Sequence, residues 1–214
     1  MDNKNLIFGI INNEEKLYSG NLCYYFKLVF NSPNAANPYH NFRHMMYVTC
    51  TTYECAKSVR YREINGESSF RALMIAAMFH DYDHGPVMSN SDQEDIDKAV
   101  LAIEKYILEE DIKLLPEITM LIRETEFPHK RHGFSLGGSI LRDADLSQAL
   151  EAVWIQQIIF GFSVEMNVPQ MKVLQLEINY LSGLKFETSW AREKFGILAQ
   201  LKINEINELI KILS

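Results

Sequence analysis

Cysteine is scarce in this chain: Cys23, Cys50 and Cys55 are the only thiols in 214 residues, and no two form a Cys-x-x-Cys pair. An odd count with no framework excludes a disulfide-stapled scaffold and reads as reduced thiols in a cytoplasmic protein. Positive charge is also short. Lys and Arg total 21 against 28 Asp and Glu, a net charge of −7, which argues against nucleic-acid or anionic-membrane partners. No apolar run reaches the length of a membrane span, and Met1-Asp2-Asn3-Lys4-Asn5 lacks the basic start and apolar core of a signal peptide. Neither a Gly-x-Ser-x-Gly elbow nor a glycine-rich phosphate loop occurs, so nothing points to a serine nucleophile or a P-loop.

What is present is helical periodicity. At 47% hydrophobic the chain reads as one domain, 1–214, with enough length for a substantial core. Residues 14–30 predict a helix burying Leu17, Cys23, Phe26 and Val29. Residues 41–61 predict a second on the stripe Met45, Val48, Thr52, Cys55, Val59. A third runs from Ser68 or Ser69 into His80, after a turn at Asn65-Gly66. Ser91-Asp92-Gln93-Glu94 has the capping-box form and opens a helix with Ile96, Val100, Ile103 and Ile107. Pro116 starts another, with Ile118, Leu121 and Ile122 apolar. From Leu136 a helical pattern, broken near Arg142–Asp145, continues through Trp154, Ile158 and Phe162; Pro169 then starts a further helix. The last, about 187–213, carries Trp190, Phe195, Leu198, Leu201, Ile206 and Ile210. No alternating apolar–polar run demands a strand, so the fold class is all-α, a compact domain of about eight helices.

Chemistry concentrates at Phe79-His80-Asp81-Tyr82-Asp83-His84, which closes the apolar run Ala72–Met78. Leu73, Ala76, Ala77 and His80 share one helical face, so ionisable groups arrive at the end of a buried helix, where they are costly without partners. A divalent cation is the economical partner for mixed imidazole and carboxylate. Upstream, His40 and His44 in Tyr39-His40-Asn41-Phe42-Arg43-His44 lie four apart, on one face of any helix starting near Pro38. Downstream, Arg142-Asp143-Ala144-Asp145-Leu146-Ser147 interrupts an apolar segment. Read by itself, it is a helix cap made by Asp143 or Asp145.

In order, His … His-Asp … Asp resembles the HD superfamily of metal-dependent phosphohydrolases. Tyr39-His40-Asn41 with His44, His80-Asp81-Tyr82-Asp83-His84 and Ala144-Asp145-Leu146-Ser147 resemble the signature stretches of cyclic-nucleotide phosphodiesterases. Asp92-Gln93-Glu94 and Trp190-Ala191-Arg192-Glu193-Lys194-Phe195 are similar to small bacterial HD phosphohydrolases. The likeness spans about residues 38–200. It implies His44, His80, Asp81 and Asp145 as metal ligands, Asp81 bridging where two ions are present, with Asp145 preferred to Asp143 by the Ala-Asp-Leu-Ser match. It implies His40 as the acid that protonates the leaving oxygen and His84 as a second histidine near the bridging water. Glu94 is expected near an outer water, and Arg43 and His129, with His132, near the substrate phosphate.

The sequence departs from the phosphodiesterases at Gly85-Pro86, where they have Pro-Gly, and at Glu126, where they have aspartate. It is also shorter than their catalytic domains, and no glutamine is assigned as the purine-holding one; Gln156, Gln157 and Gln175 are candidates. The resemblance implies one or two divalent ions (Zn, Mg, Mn or Fe). The expected function is hydrolysis of a small-molecule phosphoester, a nucleotide phosphodiester first, by metal-activated water and a histidine acid. The rivals are a phosphomonoesterase or pyrophosphohydrolase on the same site, and a metal-stabilised nucleotide-binding regulatory module without turnover. Oligomeric state is open.

Overall fold

The structure is a computed structural model that describes residues 3–12, 20–85, 92–127 and 134–213. Its centre is α4 (Tyr61–Phe79), in which every residue from Phe70 to Phe79 is buried. Each large apolar side chain buried this way contributes roughly 1.5–3 kcal/mol, so this helix anchors everything packed on it. Gly66 breaks it with φ 88°, and the long apolar run begins after that turn, as the Asn65-Gly66 signal predicts. Around α4 pack α2 (Cys23–Phe30), α3 (Phe42–Ser58), α5 (Asp92–Tyr106), α6 (Leu115–Arg123) and α7 (Leu136–Leu146), with α1 (Asn3–Asn12) against α2 and α3. The C-terminal part is α8 (Gly161–Glu165), α9 (Gln170–Gly183) and α10 (Ser189–Leu213). Short 3-10 turns at Glu109–Leu114 and Ser147–Leu150 and a π-helical stretch at Ile155–Phe160 join these elements. The described residues contain no strand, so the all-α expectation holds, with ten α-helices rather than eight among them.

Several boundaries differ from expectation for local reasons. Within the described residues, the first predicted helix begins at Cys23. Gly20 takes φ 69° beside the Arg71 guanidinium, where a Cβ would stand 3.5 Å from Nη1, and residues 13–19 lie outside the described set. Tyr25, rather than Phe26, is then the fully buried aromatic. Its hydroxyl donates to Asp111 (2.8 Å), which also takes two hydrogen bonds from Arg71 (2.7 and 2.8 Å), so a buried ion pair joins α2, α4 and the Glu109–Leu114 turn. α7 runs unbroken through Arg142–Asp145, and the helix ends only at Ser147–Leu150. On α10, Leu201 faces outward at 56% exposure, and the buried stripe is Ala191, Phe195 and Ile206. The proposed Ser91 cap lies outside the described residues.

The buried side chains form two clusters. One takes residues from α1 to α7; the other joins Tyr39, Ala149, Leu150 and Trp154 to the π-helical stretch, α9 and α10. A cavity of about 410 Å³ is lined from both sides, by Asp81, Asp92, Asp95, Ile96 and Thr125 on one and Ile158, Phe162, Val173 and Glu177 on the other.

Candidate metal centre and acid pair

α3 starts at Phe42, where the Asn41 side chain caps it by accepting from the backbone N–H groups of Arg43 (2.8 Å) and His44 (3.1 Å). His44 therefore sits in the first turn, aimed back toward the N-terminus. His40 lies before the helix, not on its face as the four-residue spacing suggested. His80 and Asp81 follow the last turn of α4, and Asp145 is the penultimate residue of α7. The three helices bring four side chains to one point. His44 Nε2 is 3.0 Å from Asp81 Oδ2, 3.1 Å from Asp145 Oδ1 and 3.2 Å from His80 Nε2. His80 Nε2 is 3.3 Å from Asp81 and 3.7 Å from Asp145.

The outer nitrogens fix what these atoms are. His80 Nδ1 lies 2.9 Å from the Ala77 carbonyl, which only accepts, so that nitrogen carries the proton. His44 Nδ1 faces Gln148 Oε1 at 2.5 Å, and the Gln148 amide N–H₂ donates in turn to Gln157. Both Nε2 atoms are then free to present lone pairs, and two carboxylates face the same spot. Four acceptors converging at about 3 Å spacing are the donor set of one cation with bonds of about 2.0–2.2 Å, so these residues fit a divalent ion. Protons stand in for such a charge. Burial opposes the imidazolium, but hydrogen bonds to Asp145 and Asp81 outweigh it and raise His44 to about 9. His80 is raised in the same way, against its burial, by Asp81 and Asp145. Burial would raise Asp81 and Asp145, yet the two histidines hold both below the usual carboxylate range.

Asp143, the other carboxylate of its motif, is fully buried and accepts from the backbone N–H groups of Glu187 (2.8 Å) and Thr188 (2.7 Å) ahead of α10. It holds a chain segment, while Asp145 faces the histidines.

Beside this cluster stands a second one. The His40 ring stacks on His84, centroids 3.7 Å apart and planes 13° apart. His40 Nδ1 is 2.5 Å from Glu165 Oε1, and Glu165 Oε2 accepts from the backbone N–H groups of Tyr39 (2.7 Å) and His40 (3.1 Å). Glu165 thus fixes both the ring and the chain that carries it. Burial and the neighbouring His84 lower the His40 pKa, against Glu165 and Asp81. Asn34 ties the two clusters: its amide donates to the carbonyls of His40 (2.9 Å) and Asp81 (2.7 Å), and its oxygen accepts from Asp83 N–H (2.9 Å). Either His44–His80–Asp81 or His40–His84–Glu165 has donor atoms close enough for an ion, but only the first also has Asp145 facing it.

Sequence reasoning did not find Glu165, Asn34, Gln148 or Glu177. Glu165 and Glu177 had a signal, an acid within an apolar helical pattern; Asn34 was absorbed in a turn-forming stretch. Glu94 is exposed, and Asp92 and Asp95 are the carboxylates of α5 that line the cavity. Asp95 accepts from Gly85 N–H (3.0 Å) and faces His84 Nε2 at 3.7 Å. Arg43 is exposed and does not line the cavity. His129 and His132 lie outside the described residues. Among the purine-holding candidates, Gln156 and Gln175 are exposed and Gln157 is bonded to Gln148; none lines the cavity.

The family model of 3'5'-cyclic nucleotide phosphodiesterases matches residues 39–110. That segment contains His40, His44, His80, Asp81 and His84. The fold is similar to the phosphodiesterase domain of the RhoPDE fusion protein from the choanoflagellate Salpingoeca rosetta, at 17% identity and TM-score 0.59, covering 98% of this chain and 86% of that one. It is also similar to the phosphodiesterase domain of the Salpingoeca rosetta rhodopsin phosphodiesterase, at 19% identity and TM-score 0.56, covering 97% and 80%. No curated protein matches the chain. The family-model match covers part of the chain, residues 39–110, and the two solved structures share its all-α fold. No helix of the described residues is long and apolar enough to cross a membrane.

Proposed function

We propose that the chain is an HD-type phosphohydrolase that cleaves a nucleotide phosphodiester, with the whole of 1–214 as its catalytic domain. His44, His80, Asp81 and Asp145 would hold a divalent ion, which supplies acidified water and neutralises phosphate charge. His40 gives its proton to the departing alkoxide, with Nδ1 pinned by Glu165 and its other ring nitrogen left for the substrate. His84 backs the His40 ring, and Asp95 in turn faces His84. Neither Cys50 nor Cys55 competes as nucleophile, because burial pushes both thiols up to about 12. The three free cysteines favour a reducing, cytoplasmic setting.

The observation that carries the reading is an oriented acid beside four converging ligand atoms. A regulatory binder has no use for the Glu165–His40 pair. The cavity also favours a diester over a triphosphate. Among the described residues its lining has Asp81, Asp92, Asp95, Asp145 and Glu177 but no lysine or arginine, so a substrate of low charge meets the least repulsion. The test is turnover of metal-loaded protein. We expect a generic aryl phosphodiester to be cleaved faster than pyrophosphate is released from nucleoside triphosphates. His40→Ala should slow poor leaving groups far more than activated aryl ones. Preferential triphosphate cleavage would support the pyrophosphohydrolase, and nucleotide binding without turnover the regulatory module.

A further inference from the structure

Most carboxyl groups on the cavity wall have partners. Asp81 and Asp145 face imidazoles, Asp92 accepts from Phe127 N–H (2.7 Å), and Asp95 accepts from Gly85 N–H and Lys98. Glu177 differs. It projects from α9 into the wall at 6% exposure, and its Oε1 is buried with no hydrogen-bond partner. Its neighbours along that wall are Ile158, Phe162, Met166, Val173 and Leu176. Burial alone pushes its pKa up to about 8, and its charge acts on Tyr39 and Tyr180 of the same lining, as does that of Asp145. An unsatisfied buried carboxyl is costly, and no lysine or arginine of the described lining can meet it. A partner from outside the chain is the economical answer, and an apolar slot shapes it as a flat, largely uncharged group with N–H donors.

We propose that Glu177 is a specificity-determining residue whose carboxylate accepts the two adjacent N–H donors of a guanine base. The proposal rests on the nucleotide reading above and deepens it. A carboxylate offers two oxygens in one plane and no donor. Among the common bases, guanine alone presents two neighbouring donors, N1–H and N2–H, with no acceptor between them. Adenine and cytosine place a ring-nitrogen lone pair next to their amino group, and it would face a carboxylate oxygen. The N3–H of uracil is flanked by two carbonyls. Two charge-assisted hydrogen bonds replace the proton that burial holds on the empty side chain. That proton leaves Glu177 for the solvent as the base enters.

The test is calorimetric binding of guanosine, adenosine and uridine, and of the 3',5'-cyclic monophosphates of guanosine and adenosine. It is run on the full chain at pH 7 in two buffers of different ionisation heat, with wild type and Glu177→Gln. The expected result is guanine ligands binding roughly tenfold or more tighter than adenine ones, a margin suited to a site built around hydrogen-bond donors, with release of close to one proton. Glu177→Gln, which keeps the shape but adds a donor and cannot titrate, should narrow that ratio by about tenfold and abolish the proton release. Adenine binding as tight as guanine in wild type, an unchanged ratio in Glu177→Gln, or displacement of guanosine by a simple alkyl-ammonium phosphoester would overturn the proposal. The nucleosides carry no phosphate. If guanosine is selected while no phosphodiester is hydrolysed, the functional reading fails and the base site stands; active enzyme without base selection is the opposite outcome.

Discussion

Two carboxylates two positions apart do different work. Asp143 holds two backbone N–H groups, and Asp145 looks at two histidines. Asp143→Ala should therefore lower stability by about 1–3 kcal/mol, the cost of orphaned buried donors, and leave metal stoichiometry unchanged. Asp145→Ala should lose metal, and its metal-free fold should also lose the stability that Asp145 draws from His44 and His80. Urea titration and metal analysis of the two variants check this, and the reverse pattern would exchange the two roles. At the proposed acid, Glu165→Gln removes one of the influences that raise the His40 pKa, leaving burial and His84 to lower it further. Because the acid works protonated, the alkaline limb of turnover should move to lower pH. The rate should drop roughly 10–100-fold, the usual effect of losing a residue that orients another, with metal retained. A pH–rate profile that stays in place would leave Glu165 a purely structural role. The ligand motifs were legible because each is an unusual residue on an otherwise apolar element. Glu165 was passed over: an acid within an apolar pattern marks a candidate, but its partner is 125 positions away, so nothing local names its role.

At the scale of the element, close backbone approach sets the site. Gly161 opens α8, and a Cβ there would stand 3.0 Å from the Pro38 carbonyl and 3.3 Å from Tyr39 Cβ. The chain being crowded is the one that carries His40. Gly161→Ala should displace that chain by a few tenths of an ångström, cutting turnover by roughly tenfold without changing metal content. Unchanged turnover would mean that the His40 chain yields freely. The Gly137-Gly138 pair acts similarly between α7 and its neighbours: Cβ atoms would meet Tyr61 Oη and Leu121 Cδ2 at 2.8 Å, and at Gly138 would overlap the Glu124 carboxyl. Apolar periodicity told where α3 to α6 lie and which faces they bury, because a 3.6-residue stripe depends on local sequence alone. It missed the start of α2, where a left-handed glycine ends the pattern, and the unbroken run of α7. There, charged residues read as an interruption although Asp143 is satisfied by a distant backbone. The π-helical stretch at Ile155–Phe160 has no sequence signature; its wider turn depends on tertiary packing.

At the scale of the molecule, the proposed metal ligands belong to the helices of one buried cluster, while Glu165 and Glu177 belong to elements around the other. Phe195→Ala, which opens a cavity in the second cluster at a cost of about 3–5 kcal/mol, should separate two properties. With rising urea, turnover should fall before metal is released, because the acid loses its clamp while the ligands stay in place. Coincident loss of turnover and metal in this variant would mean that the two clusters open as one.

The cavity shared by the two clusters also makes any ligand that fills it a strut. A phosphoester seated at the metal ligands with its base against α9 resists local opening of the C-terminal helices by RT ln(1 + [L]/Kd), about 2.7 kcal/mol at a hundredfold excess over Kd. Amide exchange would report that bracing as slowing in α8 and α9. The inner turns of α4, buried throughout, already exchange only through global unfolding and would slow only as far as the ligand raises the stability of the whole chain.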